Sequence, residues 1–393
     1  MNRIIIFTGK GGVGKTSTAS AHAVKAAKQG MKTLIVSTDL AHNLSDIFMQ
    51  EIKKEPTEII ENLWGLEIDP NYEMENYYGS IKEAVRKMMI FGEEKDEETY
   101  EDIVAFPGME ELFCLLKIKD IYEKNIYDLI IVDSAPTGET LSLLKFPELL
   151  SWYMEKFLPI GKVALKFLRP ISKIAFKVEM PNKQAINDME KLYIMLSQLQ
   201  LLLKNREVCS IRLVTIPEKM VVEETKRNYM YLNLYNFNVD GLYINRIIPK
   251  DVNNSFFDEW KKLQKQYMDE IESVFFNIPI INIKWYEVDI NGIEGLNRIV
   301  KDSLNIKNIF EVQKITVSEK FEKTKDGYKL EVYVPFGDKN ALDLYETGTD
   351  ISISIGNFKR NIPCPNTLKK YSISKAKFNN DYLAIYFMEK VVK

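Results

Sequence analysis

The strongest constraint on the fold is a glycine-rich segment near the N-terminus of this 393-residue chain. Residues 9–17 read Gly-Lys-Gly-Gly-Val-Gly-Lys-Thr-Ser, which matches the pattern G-x-x-x-x-G-K-[ST]. Glycine permits positive φ and close backbone approach, so successive N–H groups can surround a phosphate. An apolar run at residues 3–8 precedes the segment, and helical composition follows from Thr16 to Gln29, ending at Gly30. This order of strand, loop and helix predicts a phosphate-binding loop.

The loop residues have separate expected roles. We expect the Lys15 ammonium group to reach the β and γ phosphates of ATP, and the Thr16 hydroxyl to bind Mg²⁺. Lys10 is an additional lysine directly after the first glycine. Because Lys15 already serves the phosphates of its own subunit, Lys10 is expected to reach those of a neighbour. The predicted nucleotide-binding residues of the loop are Gly9, Gly11, Gly12, Val13, Gly14, Lys15, Thr16 and Ser17.

Two further apolar runs end next to an acidic residue. Residues 31–38 read as a core strand and are followed by Asp39, while residues 127–133 read as another buried strand that ends in Asp133. An acid at the carboxyl end of a strand faces the crevice of an open α/β sheet in which ligands bind. Both carboxylates are therefore candidate site residues.

These motifs resemble those of the deviant-Walker ATPases, which include the arsenite-pump, tail-anchored-protein targeting and partition ATPases and the nitrogenase iron protein. In that class two subunits enclose the nucleotides and the additional lysine crosses the interface. The resemblance therefore implies a homodimer and a catalytic role for Lys10, together with Lys15.

The segment that begins at Asp39 resembles switch I of this class, which reads Asp-Pro-Ala-His-Ser-Leu. In the present chain Leu40 replaces the proline and Asn43 replaces the serine. The resemblance implies that Asp39 positions or activates the attacking water. His42 is expected to orient the switch rather than to bind a metal.

The segment that begins at Asp133 resembles switch II of the arsenite-pump and tail-anchor group specifically, which reads Asp-Thr-Ala-Pro-Thr-Gly-His-Thr-Leu. The resemblance implies that Asp133 helps to hold Mg²⁺, partly through the water molecules around the ion. It also implies that Pro136, Thr137 and Gly138 belong to the switch. Glu139 replaces the usual histidine. A partition ATPase would not be expected to carry this switch, and an iron protein would need paired cluster cysteines.

A later strand ends near Asn245, which matches the adenine-reading asparagine of the family. Its side-chain amide can donate and accept hydrogen bonds at once, which suits an adenine edge. The resemblance spans about residues 1–305. It implies an α/β P-loop fold with a mostly parallel sheet flanked by helices, and Mg²⁺-dependent hydrolysis of ATP.

Composition excludes several other classes. A net charge of −3 argues against a general nucleic-acid binder. The first strand starts almost at the N-terminus, which leaves no room for a signal peptide, and no apolar run approaches the roughly 18 residues of a membrane span, so we expect a cytoplasmic protein. Cys114, Cys209 and Cys364 are too few for a disulfide framework and are interpreted as buried apolar side chains, which disfavours metalloid sensing.

Residues 151–203 form an apolar, basic and helical segment broken by prolines. Tail-anchor ATPases use helices inserted after switch II to bind hydrophobic clients, so the resemblance makes this segment a candidate client-binding subdomain. Two alternatives remain. Its helices pack on the ATPase core, as amphipathic helices usually do, or they make transient contact with a membrane surface.

From about residue 313 to residue 393 the apolar pattern changes to a period of two, with turn signals such as Asp326-Gly327. The pattern predicts a small antiparallel β-sandwich, and it resembles the α-crystallin-like domain appended to some members of the family. Such a domain would bind clients or partners, or it would stabilise the molecule.

Three functions follow from these observations. The first is a homodimeric ATPase that binds, releases or targets a hydrophobic membrane-protein client. The second is an ATPase subunit that energises an arsenite or other anion efflux transporter. The third is an ATP-switched scaffold that recruits partners through the β-sandwich.

Overall fold

The computed structural model describes residues 2–39, 43–77, 109–134, 183–313, 319–337, 341–347, 350–356, 358–363, 368 and 370–389. The chain divides into two compact units, which are described separately. The first unit comprises residues 1–11, 15–209 and 288–305, and the second comprises residues 12–14, 210–287 and 306–393.

The described helices, in chain order, are α1 (Lys15–Lys28), α2 (Asn43–Phe48), α3 (Pro70–Asn76), α4 (Met109–Glu123), α5 (Lys183–Lys204), α6 (Lys219–Leu234), α7 (Asp258–Val274) and α8 (Gly292–Ser303). A 3₁₀ turn at Ser255–Phe257 precedes α7. The described strands are β1 (Arg3–Thr8), β2 (Thr33–Ser37), β3 (Thr57–Ile60), β4 (Leu63–Glu67), β5 (Leu129–Asp133), β6 (Cys209–Thr215), β7 (Val239–Ile247), β8 (Ile280–Lys284), β9 (Glu319–Lys323), β10 (Gly327–Tyr333), β11 (Leu342–Thr347), β12 (Asp350–Ile355), β13 (Phe358–Pro363), β14 (Tyr371–Asn379) and β15 (Tyr382–Glu389).

The first unit is built on strands in the order β3-β4-β2-β5-β1. Only β3 runs antiparallel to its neighbour, and the other pairs are parallel. Every residue of β1, β2 and β5 is buried, as expected for a parallel sheet covered by helices. The apolar runs predicted as core strands are therefore core strands.

Helix α1 follows the glycine-rich loop directly. It ends at Lys28, and Gly30 closes it with a φ of +82° and an N–H donated to the Ala27 carbonyl at 2.9 Å. Glycine is favoured there because a Cβ disfavours positive φ. The side chain of His22 is fully buried in this helix, and its Nδ1 lies 2.7 Å from the Thr18 carbonyl oxygen. These contacts indicate a structural role for the histidine.

The second unit contains the parallel strands β6-β7-β8 with α6 and α7. It continues into two antiparallel sheets, a four-stranded one in the order β14-β15-β10-β9 and a three-stranded one in the order β11-β12-β13. The predicted fold class, α/β with a mostly parallel sheet and a small C-terminal antiparallel region, is confirmed.

Within the second unit, the antiparallel sheets are attached to the α/β part by specific contacts. The Arg360 guanidinium donates to the Leu234 carbonyl at the end of α6 and to the Glu319 carboxylate at 2.7 Å. The amide of Asn277, between α7 and β8, donates to the Tyr333 hydroxyl of β10 at 2.9 Å. These contacts hold the C-terminal sheets to α6 and to the segment before β8.

Cys114 and Cys209 are buried and not disulfide-bonded. Within the described ranges there is no group of three or more His, Cys, Asp or Glu side chains arranged to hold a metal ion. Cys364 lies outside the described residues. The two described cysteines thus behave as buried apolar side chains.

Candidate nucleotide-binding site

The glycine-rich loop has the backbone geometry that the sequence predicts. Gly12 has φ of +78° and Gly14 has φ of +90°, a region that residues with a Cβ rarely adopt. Both positions therefore require glycine. Gly9 is buried at the end of β1, whereas Gly11 and Gly12 are exposed. This exposed backbone can accept an anion.

Lys15 is the first residue of α1, and its side chain turns back over the loop. Its Nζ donates to the Lys10 carbonyl at 3.3 Å, and the residue is 7% exposed. The ammonium charge is thus held beside the loop rather than in solvent. Lys10 itself is partly exposed, and Thr16 and Ser17 follow in the first turn of the helix.

The carboxylate of Asp133 lies at the end of β5, which pairs with β1 on one side and β2 on the other. Asp133 is 1% exposed, and neither carboxylate oxygen has a hydrogen-bond partner among the described residues. Burial raises the pKa of Asp133 to about 7, against the opposing effects of the Thr16 hydroxyl and the Lys15 ammonium group; the charge of Asp39 raises it further. The fold thus brings Lys15, Thr16, Asp39 and Asp133 together within the first unit.

These residues fit a hard divalent cation. A buried carboxylate is costly unless a cation or hydrogen-bond donors satisfy it, and Mg²⁺ prefers oxygen ligands such as a carboxylate and a hydroxyl. Asp133 and Thr16 supply those two groups beside the charge of Lys15. They would hold Mg²⁺, with Asp133 acting partly through water.

Asp39 follows the end of β2, next to Asp133. The Thr38 N–H donates to the Asp133 carbonyl at 3.0 Å, and the Asp39 N–H donates to the Ser37 hydroxyl at 3.2 Å. The backbone that leads into Asp39 is thereby anchored to the ends of β2 and β5. Asp39 itself is half-buried.

Glu67 is a site residue that the sequence reasoning missed. Its buried Oε1 accepts hydrogen bonds from the N–H groups of Leu44 at 3.1 Å and Ser45 at 2.9 Å. It thereby satisfies backbone donors in the first turn of α2, the helix that follows switch I. Glu67 ends β4, so the rule that singled out Asp39 and Asp133, an acid at the end of a core strand, could have found it.

Asn245 lies inside β7, which continues to Ile247 rather than ending beside it. Its Nδ2 donates to the Val13 carbonyl of the glycine-rich loop at 2.9 Å, and both residues belong to the second unit. The predicted base-reading residue and the loop are therefore in direct contact.

A buried charge network lies next to this strand within the second unit. Arg212 of β6 is 2% exposed and donates to the Asp240 carboxylate at 3.1 Å, to the Tyr243 hydroxyl at 3.2 Å and to the Ile309 carbonyl. Burial opposes the charged form of Arg212, but Tyr243 and Asp240 more than offset this effect and raise its pKa. The network joins β6, β7 and the segment that leads to the antiparallel sheets.

The remaining predicted switch residues, His42, Pro136, Thr137 and Gly138, lie outside the described residues, as do Leu40, Glu139 and residues 151–182. The described end of the candidate client segment is α5, in which Leu196, Leu199 and Leu203 are buried. α5 contacts α4, so this part packs on the first unit. No helix within the described ranges is both long and apolar enough to cross a membrane.

Comparison with known proteins identifies relatives for both parts of the chain. A family model described as anion-transporting ATPase matches residues 2–305, and one described as an HSP20-like domain found in ArsA matches residues 325–387. A putative arsenical pump-driving ATPase of Prosthecochloris vibrioformis is 35% identical over 98% of this chain and 96% of its own length. The ATPase get3 of Botryotinia fuckeliana is 30% identical over 75% of this chain and 88% of its own length. The resemblance predicted from the motifs is confirmed.

Proposed function

The chain belongs to the anion-transporting ATPase family and is an ATPase, and from this premise we propose that it hydrolyses ATP with Mg²⁺ as a homodimer that encloses its nucleotides. Turnover is coupled to the binding and release, or the targeting, of a hydrophobic membrane-protein client. The catalytic part of the proposal is supported by the buried carboxylate of Asp133, which lies beside the Thr16 hydroxyl and the Lys15 ammonium group.

The residues divide the chemistry of phosphoryl transfer between them. The backbone N–H groups of the loop and the Lys15 ammonium group hold the phosphates and oppose the charge that develops on them. Asp39 accepts a hydrogen bond from the attacking water and orients it towards the γ phosphate. Asp133 and Thr16 would hold Mg²⁺ at the end of β5, where the ion would supply positive charge to the phosphates.

The role of Asp39 is tested by Asp39→Asn. This change keeps the size of the side chain but removes the charge that would position the water, so turnover should be lost while ATP affinity stays nearly normal. Titration calorimetry and a phosphate-release assay measure the two quantities. Asp46→Asn, an exposed acid on α2, is the matched control and should hydrolyse ATP normally. Near-normal hydrolysis by Asp39→Asn would remove Asp39 from the mechanism.

The homodimer is tested through Lys10. If Lys10 acts on the nucleotide of the partner, a mixed dimer of one Lys10→Ala subunit and one Asp39→Asn subunit contains one site with both wild-type groups. Mixing two inactive proteins should therefore restore hydrolysis. Absence of rescue, with mixed dimers verified by affinity tags, would indicate a monomeric switch instead.

The hydrophobic client is supported by the apolar and basic composition of residues 151–203 and by the family resemblance. Mass spectrometry of material bound to the Asp39→Asn variant should identify apolar peptides.

Hydrogen exchange over residues 151–180 should be faster in the apo or ADP state than with a non-hydrolysable ATP analogue. Phe157→Ser and Phe167→Ser should reduce client capture more than they reduce the melting temperature. Slow exchange in every state would contradict a nucleotide-gated groove.

The names of the whole-length relatives favour a second candidate, an ATPase subunit that energises an arsenite or other anion efflux transporter. Against it, Cys114 and Cys209 are buried and therefore inaccessible as an arsenite site. Stimulation of hydrolysis by arsenite would favour the pump.

A third candidate, an ATP-switched scaffold, would capture a partner stably through the C-terminal domain and respond to neither arsenite nor apolar peptides.

A further inference from the structure

The contact between Asn245 and the glycine-rich loop joins residues that are 232 positions apart in the chain. Asn245 Nδ2 donates to the Val13 carbonyl oxygen at 2.9 Å. A Cβ on Gly14 would lie 2.1 Å from the same nitrogen. A side chain at position 14 would therefore push the amide away from Val13, so this contact depends on Gly14, as does the backbone φ of +90°.

An asparagine amide has enough hydrogen-bonding groups for two tasks. It carries two N–H donors and one oxygen with two lone pairs. Val13 uses one N–H, which leaves the second N–H and the oxygen to pair with the acceptor and the donor of an adenine edge. Holding the loop and reading the base are therefore compatible roles for Asn245.

The contact also constrains the loop where it would meet a phosphate. The peptide bond between Val13 and Gly14 is planar and trans, so the Val13 carbonyl and the Gly14 N–H point in opposite directions. Fixing the carbonyl towards Asn245 fixes the direction of the Gly14 N–H. Lys15, the residue predicted to bind the phosphates, is the next residue in the chain.

We propose that Asn245 is a positioning residue for the phosphate loop, in addition to reading the base. It holds the peptide between Val13 and Gly14 in the orientation that binds a triphosphate, and so couples recognition of the base to the geometry of the loop. The inference rests on the proposed binding of ATP at this loop. It adds that Asn245 acts on a polyphosphate that has no base.

Inorganic tripolyphosphate with Mg²⁺ is the probe that separates the two roles, because it lacks a base. Its affinity should fall about three- to tenfold in Asn245→Ala, the loss expected for one hydrogen bond. Asn245→Asp should weaken tripolyphosphate binding at least as much, since a carboxylate cannot donate to the Val13 carbonyl and adds negative charge near the loop. Both variants should also lose discrimination between ATP and GTP.

Asn282→Ala is the matched control, because Asn282 is an exposed asparagine on the adjacent strand β8. It should bind both ligands like the wild type, and the melting temperature of each apo protein verifies folding. Unchanged tripolyphosphate affinity in folded Asn245→Ala, with ATP affinity reduced, would restrict Asn245 to base reading and overturn the inference. A wild-type protein that binds neither ATP nor tripolyphosphate would instead overturn the proposed function.

Discussion

The side-chain amide of Asn277 joins the hydroxyl groups of Tyr229 and Tyr333. It accepts from Tyr229 at 3.1 Å and donates to Tyr333 at 2.9 Å. Tyr229 lies in α6 and Tyr333 in β10, and the rings of Phe275 and Phe336 pack against Tyr229. The C-terminal sheets are thus fixed to the α/β part of the second unit by an aromatic cluster with a polar centre.

The first prediction concerns this attachment. Asn277→Ala should lower the free energy of unfolding by about 1–3 kcal/mol, because two largely buried phenols lose a hydrogen-bond partner. Tyr333→Phe removes one hydroxyl and should cost less. Urea denaturation measures both changes. Tyr345→Phe, on an exposed side chain of β11, should have no effect. Equal stability of all these variants would show that the cluster contributes little to holding the domain.

The second prediction concerns Arg212. Arg212→Met leaves Asp240 buried without its guanidinium partner, so it should lower the free energy of unfolding by about 3–5 kcal/mol. The double variant Arg212→Met, Asp240→Leu should recover much of this loss, since no charge then remains to be desolvated. Arg227→Met, at an exposed position on α6, should change the free energy little. The absence of recovery in the double variant would contradict a charge-based explanation.

The third prediction concerns Glu67. Glu67→Ala leaves the N–H groups of Leu44 and Ser45 without their acceptor, and should cost about 0.5–2 kcal/mol, as for the loss of a helix cap. It should also slow ATP hydrolysis more than it weakens ATP binding, because α2 follows the segment that contains Asp39. Glu67→Gln keeps an acceptor oxygen and should lie between Glu67→Ala and the wild type. Glu58→Ala, on exposed Glu58 of β3, is the control.

The fourth prediction concerns Asp133 in the absence of Mg²⁺. Burial raises its pKa from 3.8 to about 7 in the folded protein. Between these values the folded state holds a proton that the unfolded state has lost, so this group stabilises the protein fully below pH 3.8 and the contribution disappears as the pH rises to about 7.

The wild type without Mg²⁺ should therefore lose more stability between about pH 5 and pH 8 than Asp133→Asn does, because the amide does not titrate. Denaturation at several pH values measures the difference between the two proteins. Added Mg²⁺ should stabilise the wild type most at the higher pH, where the carboxylate is charged. Parallel pH profiles for both proteins would exclude titration of Asp133 in this range.

Much of the fold follows from local sequence patterns. The central residues of β1, β2 and β5 are apolar, as expected for parallel strands with two covered faces. Their observed bounds are shorter than the apolar runs at residues 31–38 and 127–133, because strand ends depend on pairing with neighbours. The period of two beyond residue 313 likewise indicated the antiparallel sheets, but not their attachment to α6.

The candidate site was predictable where one short segment carries its chemistry. The glycine-rich loop, Asp39 and Asp133 could be named from the sequence because each follows a recognisable strand. Glu67 also lies at the end of a strand, but its role is shown only by the hydrogen bonds that its carboxylate accepts from the N–H groups of Leu44 and Ser45 in α2. Neither the spacing of these residues along the chain nor their residue types predict that contact.

The sequence by itself determined the phosphate loop, the left-handed glycines and the core strands, since these depend on periodicity and on the φ values that each residue type allows. Tertiary structure alone decided which distant residues meet. β5 lies between β1 and β2 although it is about a hundred residues away from them in the chain, because parallel strands pair across crossovers rather than with their chain neighbours. Asn245 contacts Val13, and Arg212 contacts Ile309, for a similar reason: packing within the second unit, which no local pattern encodes, brings their side chains to those carbonyl groups.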